Sequence, residues 1–313
     1  MGKIVYGVDI GGTTVKIGAF TADGVLLEKW EIPTRTEENG TKIIPDVVKS
    51  VRDNMEQHGY KDEDVVGMGV GAPGPVDADG MIYRAVNLGW GTFNLAKAFE
   101  EELHLPVKAG NDANVAALGE MWKGGAKGYK DVVMVTLGTG VGGGVIVNGR
   151  LVAGHTGSGG EIGHIKVEER EPIACNCGGY GCLERYASAT GVVALAQKYL
   201  AESDAESVLR KGELTCKSVW DAVKEEDAVA LQVADKFGYY LGKGLAMIAA
   251  VTNPEVFVVG GGVSKAGEIL FDYTKPYFEK FAFAGCKNAK FVLAQLGNDA
   301  GIYGAAQLVS LRD

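Results

Sequence analysis

The chain has 313 residues, 46% of them hydrophobic, enough to bury a large core that divides into two lobes. Its formal charge of −9 leaves it without the basic face of most nucleic-acid binders, so nucleic acid is not an expected partner. Lys3, Asp9 and Lys16 interrupt the N-terminal segment, and no later apolar run approaches the roughly 18 residues of a spanning helix, so a cytoplasmic protein without membrane contact is expected.

In chain order, "KIVYGVD" at 3–9 predicts a buried strand, and "TVKIGAFTADGVLLEKWEI" a hairpin turning at Asp23-Gly24. Ile44, Val47, Val48, Val51 and Met55 recur at helical spacing within 41–58. "VVGMGVGAPG" reads as a strand running into a glycine-proline turn, and "LPVKAGNDANVAALGEMW" as strand, polar corner and a helix opening at Ala113. "KDVVMVTLGTGVGGGVIVNGRLV" predicts strand, glycine loop, strand and a hairpin tip at Asn148-Gly149. Helices are expected at 187–200 and 227–252, and "NPEVFVVGGGVSKAGEIL" reads as turn, buried strand, triple glycine and helix.

The stretches "YGVDIGGTTVKIGAFTADGVLL" and "VTLGTGVGGGVIVNGRLV" share one plan of strand, glycine loop, strand, hairpin tip and strand. An internal duplication is the natural reading, with two similar lobes facing across a ligand cleft. Each loop, Gly11-Gly12-Thr13-Thr14 and Gly138-Thr139-Gly140, would turn several backbone N–H groups into one concavity and could cradle phosphate; an ordinary glycine-rich hairpin is the alternative. Neither loop fits the P-loop or dinucleotide spacing. Asp9, closing a strand before the first loop, could hold the Mg²⁺ of a nucleoside triphosphate or simply cap the turn.

In "GNDAN", Asn111 or Asp112 could cap the following helix, while an Asp112 carboxylate kept ionised by the helix dipole could accept a proton from a substrate hydroxyl. His164 precedes Cys175, Cys177 and Cys182, a Cys₃His set suited to a closed, structural Zn²⁺ site. The other two of the five cysteines, Cys216 and Cys286, are isolated. Glu161 and Glu184 flank the ligand set, and acceptors of this kind could take a sugar's hydroxyls or remain solvated acids. Gly261-Gly262 could lie against an adenine ring or form a tight strand-to-helix corner.

"VDIGGTTVKIGAF", "GNDANVAALGE", "VTLGTGVGGGV", "GEIGH", "CNCGGYGCLERYAS" and "VVGGGVS", spread over residues 4–310, together resemble the ROK family of bacterial sugar kinases and sugar-sensing repressors. The cysteine motif is specific to that family; the glycine loops are shared with a wider superfamily. The resemblance implies an α/β, two-lobed actin-like ATPase fold with duplicated ribonuclease H-like cores, ATP and Mg²⁺ in the cleft, and γ-phosphoryl transfer to a sugar hydroxyl. A smaller lobe at 1–110, completed by a C-terminal helix at 301–313, and a larger lobe at 111–300 with the zinc loop are expected.

By the same resemblance, Asp112 is the catalytic base for the sugar's 6-hydroxyl. Asn111, Glu161, His164 and Glu184 are sugar contacts, joined by Gly74 of "GAPGP" and Asn87 of "NLGW". The histidine gives one ring nitrogen to zinc and the other to sugar. Residues 9–14 and 137–144 match the phosphate segments, and Gly261-Gly262 the adenosine wall. "NLGW", "LGTGVGGG" and "RYASATGVV" resemble the glucose-phosphorylating branch, although kinases of N-acetylmannosamine share nearly all the motifs. Glucose or a related hexose is therefore the expected substrate, and a homodimer or homotetramer the expected assembly. The repressor members carry an N-terminal helix-turn-helix of roughly 70 residues, which is not expected where a strand begins at Lys3.

Overall fold

A computed structural model of the protein describes residues 2–310. The chain opens with β1 (Ile4–Ile10), β2 (Thr14–Thr21) and β3 (Leu26–Pro33), followed by a distorted single turn, α1 (Glu37–Gly40), and by α2 (Ile43–His58). Then come β4 (Val65–Ala72), β5 (Met81–Ile82), β6 (Phe93–Asn94), α3 (Leu95–Leu103), β7 (Val107–Asn111) and α4 (Asp112–Lys123). The first sheet has the order β3-β2-β1-β4-β7; β1 pairs antiparallel with β2 and parallel with β4, and β4 parallel with β7.

The remaining chain runs through β8 (Val132–Leu137), β9 (Val141–Val147), β10 (Arg150–Leu151), α5 (Glu184–Ala187), α6 (Ala189–Glu202), α7 (Cys216–Lys224), α8 (Ala228–Thr252), β11 (Val256–Gly260), α9 (Ile269–Phe281), β12 (Lys290–Leu293) and α10 (Ala300–Ser310). The second sheet has the order β10-β9-β8-β11-β12, with β8, β11 and β12 parallel. Each sheet thus sets a hairpin beside three parallel strands, which is the repeated plan of the sequence.

Two compact units result. The first comprises Met1–Lys130, Gly144–Gly160 and Gln295–Asp313; the second Asp131–Gly143 and Glu161–Ala294. Packing therefore groups α4, the hairpin after Gly143 and the C-terminal helix with the first sheet. Residues 311–313 of the expected terminal helix lie outside the described residues.

In the first unit, the period-two alternation of β1 sorts its side chains between two layers. Tyr6, Val8 and Ile10 enter a core with Ile43, Val47, Val51 and Met55 of α2 and Leu95, Phe99 and Leu103 of α3. Val5 points the other way and packs with Phe20 and with Ile302 and Ala306 of α10. On that face α10 lies almost on the backbone: a Cβ at Gly69 would fall 1.7 Å from the Ala305 carbonyl oxygen, and one at Gly304 1.6 Å from that of Val115 in α4. Only residues without side chains admit such close approach. Glu120 of α4, wholly buried, accepts hydrogen bonds from the backbone N–H groups of Gly125, Gln295 and Leu296, fastening α4 to the approach to α10.

In the second unit, the apolar run of β11 is buried on both faces, as parallel central strands are. Phe257 meets Phe278 of α9 with ring centroids 5.5 Å apart. The long helix α8 starts where Asp227 caps the Val229 and Ala230 N–H groups. Where one helix is expected over 187–200, the chain breaks at Ser188, whose extended backbone and hydroxyl cap α6.

Candidate active site

In the first unit, the end of β7 and the start of α4 form one polar corner. Asn111 is the cap: its side-chain oxygen accepts the Asn114 N–H at 3.1 Å, which leaves Asp112 as the first helical residue. The Asn111 amide donates to the Gly74 carbonyl at 3.0 Å and to Asp112 Oδ1 at 2.9 Å, and the Ala113 N–H reaches the same oxygen at 2.8 Å. Asp112 Oδ1 thus takes both of these donors, and the residue's own N–H also favours its carboxylate form. Burial pushes the Asp112 carboxyl above the ordinary range, against the Ala113 N–H and the Asn111 amide.

Asp9 lies on the α10 face of β1, in register with Lys16 of β2 and Gly71 of β4. Burial first, and then the negative charge of Asp112, raise its pKa to about 6, with Lys16 opposing. The adjoining turn is closed by the Gly11 N–H on the Thr14 carbonyl at 3.0 Å, and tethered by the Thr34 hydroxyl on the Gly11 carbonyl at 2.8 Å. Gly12, Thr13 and Thr14 are exposed on that turn. Gly74 has φ +103° and abuts the Arg84 carbonyl, while Asn87 is exposed on the turn Val86–Leu88, which Leu88 anchors in the core.

In the second unit, the glycine loop is braced by α6 and by a carboxylate. The Gly138 carbonyl accepts the Ala189 N–H at 2.8 Å, and the Thr139 carbonyl accepts the Thr190 hydroxyl at 2.9 Å. Glu184 Oε2 accepts the Val141 N–H at 3.0 Å and leaves no room for a Cβ at Gly140. Gly261, with φ +86°, presses on the Leu137 backbone just before this loop, so the two glycine segments adjoin; Gly262 is open.

The strand-like segments 165–168 and 181–183 pair through the Leu183 N–H on the Ile165 carbonyl at 2.9 Å and the Val167 N–H on the Gly181 carbonyl at 2.8 Å. This brings His164 to the cysteines. The ligand atoms of His164, Cys175, Cys177 and Cys182 all lie within 4.8 Å of one another, a donor set that fits tetrahedral zinc. His164 Nδ1 lies 3.8 Å from Cys175 Sγ, while Nε2 lies 3.9 Å from Glu161 Oε2. Cys175 Sγ is also 3.5 Å from Glu184 Oε1, so one glutamate touches both the thiol cluster and the glycine loop.

The ROK family model matches residues 5–312. The chain belongs to the ROK family. A glucokinase of Halalkalibacterium halodurans is 45% identical over 313 aligned residues, covering 98% of this chain and 95% of its own. A glucokinase of Thermotoga maritima is 34% identical, covering 98% of each chain. Among solved structures, a ROK family glucokinase from Streptomyces griseus in complex with glucose and AMPPNP superposes with a TM-score of 0.74 at 34% identity, covering 97% of this chain and 98% of its own.

This ROK protein accordingly has the two-lobed, actin-like ATPase fold, a mixed α/β architecture whose ribonuclease H-like sheet plan occurs twice. No helix among its described residues is long and apolar enough to cross a membrane. Two groups of side chains went unnoticed in the sequence. Lys166 donates to Cys182 Sγ at 2.9 Å, and its signal was only its place two residues after His164. Ser188 and Thr190 brace the loop at 138–140; they stand in the "YASAT" segment directly after the cysteine motif.

Proposed function

We propose that this protein transfers the γ-phosphoryl group of ATP to the 6-hydroxyl of glucose, with Asp112 as the base. One observation carries the chemistry: a half-buried carboxylate at a helix N-terminus, one oxygen of which is fixed by the Asn111 amide and the Ala113 N–H. The sugar's identity is supported by the glucokinase relatives, which span nearly the whole chain.

In this reading the 6-hydroxyl donates its proton to Asp112 Oδ2 as its oxygen bonds to the γ-phosphorus and ADP departs. Such transfers demand positioning and charge neutralisation more than basicity. Asn111 spends both amide protons on protein acceptors, so its contact to sugar would use the remaining lone pair of its oxygen. Glu184 Oε1, which takes the Cys175 thiol at 3.5 Å here, would turn to a sugar hydroxyl once that thiol gives up its proton to bind zinc, and Glu161, Gly74 and Asn87 would complete the set. His164 would bind zinc through Nδ1 and sugar through Nε2, with Cys175, Cys177 and Cys182 as the other metal ligands. Zinc would supply rigidity alone, since four protein ligands leave no open position.

The turns Gly11 to Thr14 and Gly138 to Gly140 would hold the ATP phosphates through N–H groups other than those of Gly11 and Gly138, which close the turns on the Thr14 and Gly140 carbonyls, with Gly261 and Gly262 against the adenosine. Mg²⁺, held through Asp9, would neutralise phosphate charge. The two lobes of this reading follow the packing units, one built on 1–130, 144–160 and the helix Ala300–Ser310, the other on 131–143 and 161–294, and not a single boundary at residue 110. A cytoplasmic homodimer or homotetramer that engages neither nucleic acid nor membrane belongs to the same proposal, and light scattering on the purified protein measures the assembly.

A coupled ADP-release assay across glucose, mannose, fructose, N-acetylglucosamine and N-acetylmannosamine tests the function. The highest kcat/KM is expected for glucose; a hexosamine preferred at least tenfold would reassign the substrate. Saturable sugar binding without ADP release would make the protein a sensor.

A further inference from the structure

A second cavity lies in the second unit, behind the cysteine motif, where α6 and α8 meet the segment 168–173. It encloses about 550 Å³, a size common for small-molecule sites. Four cationic side chains line it: Arg170, Arg185, Lys198 and Lys236. Its acids are already engaged. Glu168 accepts from the Tyr240 hydroxyl at 2.9 Å and from the Arg170 N–H at 3.0 Å. Glu171 accepts from the Tyr186 hydroxyl and from the Ile173 N–H. Glu202 lies 4.0 Å from Lys198.

Arg185 is the anomaly. It follows Glu184 on α5 and is half-buried in the cavity wall, yet its guanidinium makes no ion pair among the described residues. Its Nε is sealed from solvent with no hydrogen-bond partner. The terminal Nη groups, which are not sealed, also have no protein acceptor among the described residues, and it is this pair of donors, not Nε, that suits a phosphate or carboxylate ligand. Beside it, Tyr186 and Tyr240 stack with ring centroids 3.8 Å apart, and Lys236 stands 4.9 Å from the Tyr240 ring. The cavity thus offers one unpaired guanidinium, further cations and an aromatic and aliphatic wall.

We propose that this cavity binds a small phosphate monoester with a ring body, such as a hexose phosphate, anchored by Arg185 and Lys198. The inference stands on the cavity and not on the kinase reading. Because Arg185 and Glu184 are neighbours on one helical turn, an occupant would press on the helix that carries Glu184.

The test is isothermal titration of the full-length, zinc-loaded chain with glucose 6-phosphate, glucose 1-phosphate and inorganic phosphate. Saturating glucose and a non-hydrolysable ATP analogue are present throughout, so that the candidate active site is occupied. About one equivalent of a hexose phosphate should bind, weakened at least tenfold by Arg185→Met and by Lys198→Met, with zinc content and Tm at parent values. Equally strong binding of inorganic phosphate would strip the ring body from the proposal and overturn the ligand class. No binding, or binding that both variants retain, would overturn the site. Since Lys198 is an exposed residue of α6, its variant keeps the test valid if Arg185→Met fails to fold. Failure of glucose or nucleotide to bind would instead count against the kinase reading, and leave the comparison between parent and variants intact.

Discussion

Asp9 and Asp112 are two carboxylates of one unit; burial first, and then the negative charge of Asp112, hold Asp9 near a pKa of about 6. An aspartate whose folded pKa is raised leaves the fold unpenalised below the unfolded pKa and costs stability as pH rises through the folded one. With an ordinary value of 3.8, the cost is about 3 kcal/mol once both forms are ionised. In EDTA, Asp9→Asn should therefore have a higher Tm than the parent at pH 8, and the gap should close between pH 6 and pH 4, as read by calorimetry. Activity of the parent should fall as pH drops through 6, because protonated Asp9 no longer attracts a divalent cation. Asp112→Asn keeps the size and the hydrogen bonds of the corner but cannot accept the proton. Its kcat should fall by ~10²–10⁴-fold with the KM for glucose little changed, and near-parent turnover would remove Asp112 from the role of base. Lys166 donates to Cys182 Sγ, and with zinc bound, three thiolates and one dication would leave a negative site that its ammonium would offset. In a chelator competition, Lys166→Met should hold zinc ~10-fold less tightly, as loss of an outer hydrogen bond to a ligand does.

At the scale of elements, glycine decides how close α10 comes to its neighbours. Alanine in a helix is favoured over glycine by ~1 kcal/mol, but at Gly304 the added carbon would meet the Val115 carbonyl oxygen at 1.6 Å. That atom is backbone and has no rotamer with which to yield, so overpacking wins. Gly304→Ala should lose ~2–3 kcal/mol in urea unfolding, and a stabilised variant would contradict the packing. Elements whose sequence carries their own punctuation were legible. Asn148 and Gly149 both take positive φ at the expected tip, and the polar corner at 110–114 opens α4 one residue before the expected start. The triple glycine is followed first by a short turn, Val263–Ala266, and only then by α9. Helices α3 and α7 and the edge strand β12 escaped the reading, because each is short and draws its order from the layer it covers. The N–H donors to Glu120 were equally hidden, as two of them stand 175 and 176 positions away.

For the whole molecule, the two sheets repeat one strand order, and that much was visible in the paired glycine loops. The grouping of residues was less visible, because α4 and the hairpin after Gly143 belong by packing to the first unit, a matter of tertiary contacts that no local pattern records. The metal site predicts a regional dependence. Removing zinc should lower Tm and weaken glucose binding, and hydrogen exchange should show protection lost over 161–188 while β1, β4 and α10 keep theirs. Uniform loss across both units would mean that the cluster stabilises the chain globally and is not a local brace.

The seating of α10 on β1, β4 and α4 also has a meaning in time. Translation delivers the first sheet at once and its covering helix last, so the face bearing Val5, Gly7 and Asp9 stays open while the entire second unit is being made. The second unit needs none of the residues from Gln295 onward for its own packing. A released chain truncated after Ala294 should then be protease-resistant in its later half and digestible in its earlier one, the reverse of the usual order of domain maturation.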